Sequence, residues 1–209
     1  MKTYNQFCGV ARALDIVGER WTLLLVRDLL LGPRRYSSLL AGLPGLTTNL
    51  LAKRLKLLLS HGLVQKTDDG AYTLTPSGRE LESVVLALGR FGAQTLSAPH
   101  PGELTSMRWA MVSLKRRYQR SRYARTLVLH IGADTFTVRT GGEQLEIRDG
   151  HHAMAPDTTL TGTPQAWQAL LMGGQTLQTL LGSGTLVLDG SAETAADFVA
   201  AVGVSGPAR

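Results

Sequence analysis

The residues of this chain best suited to meeting a charged partner fall in one run, GLTTNLLAKRLKLLLSHGLV, residues 45–64. Thr47, Thr48 and Asn49 are short side chains that both donate and accept hydrogen bonds. Lys53, Arg54 and Lys56 follow as cations woven between leucines. On one helix, the short polar groups can reach base edges in a DNA major groove while the cations neutralise phosphates. The unpaired N–H groups of the helix start favour phosphate as well. A charged run on a lone helix is ordinarily a solvated face, so the setting of this helix decides its meaning. Lys66 stands just beyond it, and Arg34 and Arg35 just before the preceding helix. These two arginines serve equally as phosphate contacts or as ion-pair partners of Asp28 or Glu19.

Other reactive residues are sparse. Cys8 is the single cysteine, so no internal disulfide is possible and any disulfide joins two subunits. The commonest fate of such a cysteine is to act as a small buried hydrophobe. His130, His151 and His152 have no cysteine or acid set at ligand spacing around them, so no metal is expected and solvated loop histidines are the simpler reading. There is no G-x-S-x-G, no H-E-x-x-H and no phosphate loop. The chain therefore reads as a non-enzyme without a cofactor.

The elements that position the polar run follow from periodicity. Val10, Leu14 and Val17 mark a first helix ended by Gly18. RWTLLLVRDLLLGP makes a second, stopped by Gly32-Pro33, and YSSLLAGLPG a short third capped by Ser37. Thr47 caps the fourth, because its hydroxyl can accept from first-turn N–H groups. Leu51, Leu55 and Leu58 form its buried stripe, with Lys53 and Lys56 off the stripe, and Gly62 ends it. Val64 and Tyr72/Leu74 read as a hairpin turning at Asp69-Gly70. Residues 77–96 read as one long helix with Leu81, Val84, Val85, Leu88 and Phe91 on its apolar face. A break at 98–103 leads to an arginine-rich helix over 104–125. From Leu127 a three-strand antiparallel meander is expected. A strand, a helix capped at Thr163, a further strand and a helix capped at Ser191 follow.

This pattern predicts an α+β chain in three parts. Residues 1–97 form a mostly helical winged helix-turn-helix domain. Residues 98–126 are a linker and arginine-rich helix, and 127–209 a small α/β domain with an antiparallel sheet. Charge divides the same way. Residues 1–100 hold 12 Lys/Arg against 7 Asp/Glu, 101–126 hold 7 against 1, and 127–209 hold 3 against 8. A basic front suits a polyanion and an acidic back does not. No apolar run approaches the ~20 residues that span a bilayer. The N-terminus MKTYNQFCGVARALD lacks a signal-peptide core. A cytoplasmic protein with no membrane partner is expected.

Several motifs in order carry a family resemblance: Cys8 through Gly18-Glu19-Arg20-Trp21, then LLLGPRRYSSL, LPGLTTNLLAKRLKLL, GLV and YTLTPSGREL. Residues 5–96 thereby resemble the HxlR family of bacterial winged-helix regulators. One departure is Thr48, which stands where family members often have proline. The resemblance implies a homodimer joined through Phe7, Val10 and Leu14 of the first helix and through Leu81, Val84, Val85, Leu88 and Phe91. Such a dimer sets two recognition helices about one DNA turn apart, ~34 Å, and favours a near-palindromic operator on double-stranded DNA. It also implies oxidant or electrophile sensing at Cys8. Residues 157–202 resemble the sterol-carrier-protein-like fold through an acidic-x-x-Leu-x-Gly motif, a helix ending at Gly-Gly, and strand-DG-helix. That implies an apolar tunnel for a small hydrophobic ligand, with Phe136, Trp167, Leu171, Leu177, Leu180 and Phe198 as its candidate walls. The expected function is a DNA-binding regulator modulated by a hydrophobic effector. The alternative is a lipid-carrier module whose helical half serves dimerisation.

Overall fold

The computed structural model of the protein describes residues 3–96, 102–121, 123–152 and 155–204. The chain divides into two compact units, Met1–Gln94 and Thr95–Arg209. Residues 98–101 of the expected linker, and Arg122 of the arginine-rich run, lie outside the described residues.

In the first unit, helices α1 (Gly9–Val17), α2 (Thr22–Leu29), α3 (Tyr36–Gly42) and α4 (Thr48–Ser60) lead into strands β1 (Val64–Lys66) and β2 (Tyr72–Leu74). Helices α5 (Pro76–Arg79) and α6 (Leu81–Ala93) close it. Leu25, Leu29, Leu39, Leu51, Leu55 and Leu58 are fully buried, so the leucine stripe of α4 belongs to the core of this unit, as do leucines of α2 and α3. Burial of each such side chain stabilises by about 1.5–3 kcal/mol. Thr47 caps α4 as expected, its hydroxyl accepting from the Leu50 N–H at 3.3 Å. Gly62, with φ of +64°, turns the chain out of the helix. The hairpin pairs Val64 with Leu74 and Lys66 with Tyr72. Arg34 adds a bridge to Tyr72 through two backbone bonds of 2.8 Å.

Two expectations shift here. Arg35, not Ser37, stands at the N-cap of α3, and no side-chain cap bond forms there. The helix expected over 77–96 is broken at Glu80 into α5 and α6. Thr75 caps α5 by accepting from the Gly78 N–H at 3.1 Å. Gly78 packs on the α4–β1 junction, where any Cβ would overlap the Leu63 carbonyl. Helix α6 has no buried residue at all.

The second unit holds α7 (Met107–Arg117) and strands β3 (Thr126–Ile131), β4 (Asp134–Arg139), β5 (Glu146–Asp149) and β6 (Thr158–Gly162). Helices α8 (Pro164–Leu171) and α9 (Leu177–Gly182), strand β7 (Leu186–Gly190) and helix α10 (Ala192–Ala201) complete it. The strands form one sheet in the order β5-β4-β3-β6-β7. The β3–β4–β5 meander is antiparallel as expected, but the sheet as a whole is mixed, because β6 lies parallel to β3. Strand β3 explains this: Leu127, Val128 and Leu129 are all buried, the continuous apolar run of a strand covered on both faces. Asp157 fixes the register at the start of β6, its carboxylate accepting from the Thr126 N–H at 2.7 Å. Thr163 and Ser191 cap α8 and α10 as read from the sequence.

The arginine-rich helix is shorter than its basic run, ending at Arg117. Its Met111, Val112 and Leu114 are buried, and Arg108 is paired to Asp149 of β5 at 2.5 Å. Helix α7 is thus an integral layer of the second unit.

Candidate functional site

Helix α4 presents two arcs. Leu51, Leu55 and Leu58 face the core, while Thr48, Asn49, Lys53 and Lys56 are exposed. Thr47 is exposed as well, with its hydroxyl already engaged as the cap. The Tyr36 hydroxyl donates to the Thr48 carbonyl at 2.7 Å, tying α3 to the start of α4. Short polar groups at a tied-down helix start, with two lysines one turn on, have the layout of a major-groove reader.

Arg54, expected among the DNA contacts, does not share that face. It is 6% exposed. Its Nη2 meets the Glu19 carboxylate at 2.7 Å and its Nε donates to the Arg20 carbonyl at 3.1 Å. The spacing explains the placement: 51, 54, 55 and 58 follow the i, i+3, i+4, i+7 rule of a buried helix face. That signal was present in the sequence and its charge obscured it.

The remaining cations vary. Arg34 is half-buried, with Nη2 donating to the Ser38 carbonyl at 3.3 Å. Arg35 is exposed and paired with Asp69 at 3.0 Å, so its partner lies in the hairpin and is neither Asp28 nor Glu19. Asp28 pairs with Arg27 at 2.8 Å. The Thr67 hydroxyl, followed by the Arg35 guanidinium, holds the Asp69 carboxyl below the ordinary aspartate range. Lys66 is exposed, its ammonium 5.5 Å from the Tyr72 ring centre. The hairpin tip therefore combines Lys66 with the acidic pair Asp68-Asp69.

Cys8 is exposed at the start of α1, where its carbonyl accepts from the Arg12 N–H at 3.0 Å. Among the apolar residues expected at a dimer interface, Phe7, Val10, Leu14, Val84, Leu88 and Phe91 are exposed, and Leu81 and Val85 half-buried.

In the second unit the expected pocket walls are mostly core. Phe136, Trp167, Leu177, Leu180 and Phe198 are buried in the packed layer between sheet and helices, and the Trp167 indole N–H donates to the His130 carbonyl at 3.3 Å. Leu171, one of the six, borders open space. It lines a groove of ≈ 550 Å³ whose apolar wall is Leu104, Met107, Trp109, Ala110, Leu171 and Met172. Thr105, Ser106, Ser113 and Gln168 supply its polar edge. Such a groove falls within the usual size range of small-molecule sites. In the sequence the charge of α7 masks this groove, whose wall is carried by the helix's apolar residues. His130 pairs with the Thr135 hydroxyl and His152 with the Asp149 carbonyl. Among the described residues, no group of three or more His, Cys, Asp or Glu is placed to hold a metal ion. No helix among them is long and apolar enough to cross a membrane.

The fold of the first unit and the outward arc of α4 define a helix-turn-helix protein. Residues 16–100 match the HxlR-like helix-turn-helix family, and residues 113–203 match the SCP-2 sterol transfer family. The chain is 33% identical over 98 residues to an uncharacterised HTH-type transcriptional regulator of Synechocystis, covering 44% of this chain and 73% of that protein. It is 36% identical over 97 residues to one of Mycobacterium tuberculosis, covering 44% of this chain and 61% of that protein. A crystal structure of quinone-bound YodB from Bacillus subtilis is similar at 29% identity and a TM-score of 0.38, covering 41% of this chain and 96% of that one. The chain belongs to the HxlR-like helix-turn-helix family of transcriptional regulators, here joined to an SCP-2 sterol transfer domain.

Proposed function

We propose that the protein is a cytoplasmic, non-catalytic transcriptional regulator that binds a near-palindromic operator as a homodimer. Thr48 and Asn49 of α4 read base edges, Lys53 and Lys56 neutralise phosphates, and Lys66 approaches the backbone from the hairpin. The observation that carries this reading is the division of α4. Its leucines and Arg54 anchor it inward, and a compact set of polar and cationic side chains is left outward. The uncovered apolar face of α6 supports the dimer. The groove beside α7 supports a small hydrophobic effector, which acts only through a difference in affinity between DNA-competent and incompetent states. The carrier-module alternative predicts equal, weak binding to any DNA.

The test is fluorescence anisotropy on DNA selected by the protein from a random-sequence pool, against scrambled DNA, over a salt series. In Lys53→Ala/Lys56→Ala, each lost phosphate contact lowers the slope of log K against log salt by about 0.9, so four contacts per dimer remove about 3.6. An unchanged slope would remove α4 from the interface.

A further inference from the structure

The turn between α1 and α2 holds α4 at several points. The Glu19 carboxylate takes Arg54 Nη2 at 2.7 Å and the Arg20 carbonyl takes Arg54 Nε at 3.1 Å, both near the middle of α4. The next residue, Trp21, lays the edge of its indole against Gly45. A Cβ built at Gly45 would lie 3.6 Å from the ring. Gly45, at φ +89°, begins the approach to the Thr47 cap. Three consecutive residues, Glu19 to Trp21, therefore hold both the entry of α4 and its middle. Trp21 itself stands at φ +78°. For a bulky residue this is a strained conformation, kept only where the surroundings over-determine it. The Arg20 guanidinium, 5.6 Å from the Trp21 ring centre, lies over that ring.

The electrostatics are lopsided. Arg54 is 7% exposed at its side chain and Glu19 63%. A guanidinium taken out of water depends on its carboxylate partner, and loss of that partner leaves a buried charge uncompensated. Nothing in this arrangement turns Arg54 toward solvent, where phosphate would be met.

We propose that Glu19, Trp21 and Arg54 form a positioning joint that sets the pose of α4, and that Arg54 governs operator specificity without touching DNA. The proposal rests on α4 being the DNA-reading helix. Major-groove discrimination depends on short side chains reaching base edges, each good pair being worth about 5- to 150-fold. A tilt of α4 removes that discrimination while leaving phosphate attraction in place. The same joint follows directly on the last turn of α1, so a shift of α1 reaches the recognition helix through it.

The test uses the full chain with Glu19→Gln, Arg54→Met and the double variant, on the pool-selected operator and on scrambled DNA. The expected result is a fall in the operator-to-scrambled affinity ratio of about tenfold or more with the salt slope unchanged. The double variant falls no further than the worse single one, and Glu19→Asp, which restores the charge, recovers part of the ratio. Glu19 is largely exposed, so Glu19→Gln keeps the question open to test where Arg54→Met fails to fold. A salt slope lowered by about 0.9 per protomer in Arg54→Met would make Arg54 a phosphate contact and overturn the proposal. So would an unchanged ratio in Glu19→Gln. An unchanged slope in Lys53→Ala/Lys56→Ala would instead overturn the reading of α4 on which the joint depends.

Discussion

Replacing Phe91 by alanine should separate the proposed dimer. Helix α6 carries Leu81, Val84, Val85, Leu88 and Phe91, yet none of its residues is buried. Phe91 is 74% exposed and Leu88 50%. Fully burying a large apolar side chain is worth about 1.5–3 kcal/mol. Scaled to the exposed part of Phe91, covering it gains about 1–2 kcal/mol per protomer, or about 2–4 kcal/mol for two related copies. That converts to a dimer dissociation constant about 30- to 1000-fold higher in Phe91→Ala. Sedimentation velocity over a concentration series measures this directly. Val187, 59% exposed on β7 of the second unit, provides the control: Val187→Ala should leave association unchanged. Because Phe91 is largely exposed, the circular dichroism of Phe91→Ala should match that of the parent. Equal association of parent and Phe91→Ala would refute the reasoning. So would a parent that is monomeric at the concentrations where it binds its operator.

Thr47→Ala removes the cap on Leu50 N–H and should cost about 1 kcal/mol, read as a lower urea midpoint with unchanged slope. Asp69 is held below the ordinary aspartate value of 3.8 by Thr67 and Arg35. Its contribution is therefore present above that value and lost as pH falls through the folded pKa beneath it. The difference in thermal midpoint between the parent and Asp69→Asn should shrink toward zero as an acid titration passes below 3.8. Ala110→Trp places an indole in the groove beside α7 and should abolish binding of the neutral fluorophore N-phenyl-1-naphthylamine. Retained binding would place the ligand elsewhere.

The first unit was legible because its determinants are local. Thr47, Gly62 and the Asp69-Gly70 turn act within a few residues of where they stand, and the leucine stripe needs only helical periodicity. The break at Glu80 escaped notice because both flanking segments have helical composition. It is set by how Gly78 docks on Leu63, fifteen residues away in sequence. The second unit depends more on distant pairing. The meander of β3, β4 and β5 is a chain of neighbours and was readable. The parallel contact of β3 with β6 joins residues 127–131 to 158–162, and no turn signal announces it. Large apolar side chains pose a related problem. Phe136, Trp167 and Phe198 have the composition of a ligand pocket and the burial of a packed core, and only the positions of neighbours distinguish the two. In α7, Arg117 hid the apolar layer by its charge. It is half-buried, donates to the Leu171 carbonyl at 3.2 Å, and burial pushes its guanidinium pKa down. Long cationic stems commonly cover apolar surface in this way.

The three cations of α4 show how position outranks charge in such a helix. Lys53, Arg54 and Lys56 lie within four residues of one another, yet 53 and 56 point outward and 54 inward. Position 54 meets the turn before α2, and a cation there survives burial only with acceptors in reach. Glu19 and the Arg20 carbonyl supply them. Arginine suits that place because its planar fork can serve a carboxylate and a carbonyl at once, while a lysine ammonium is more strongly hydrated and costs more to bury. The outward positions carry the opposite demand. A strongly hydrated point charge on a flexible stem stays in solvent there at no desolvation cost, and both outward cations are lysine. The choice of lysine or arginine along α4 thus follows the environment that the helical phase assigns to each position.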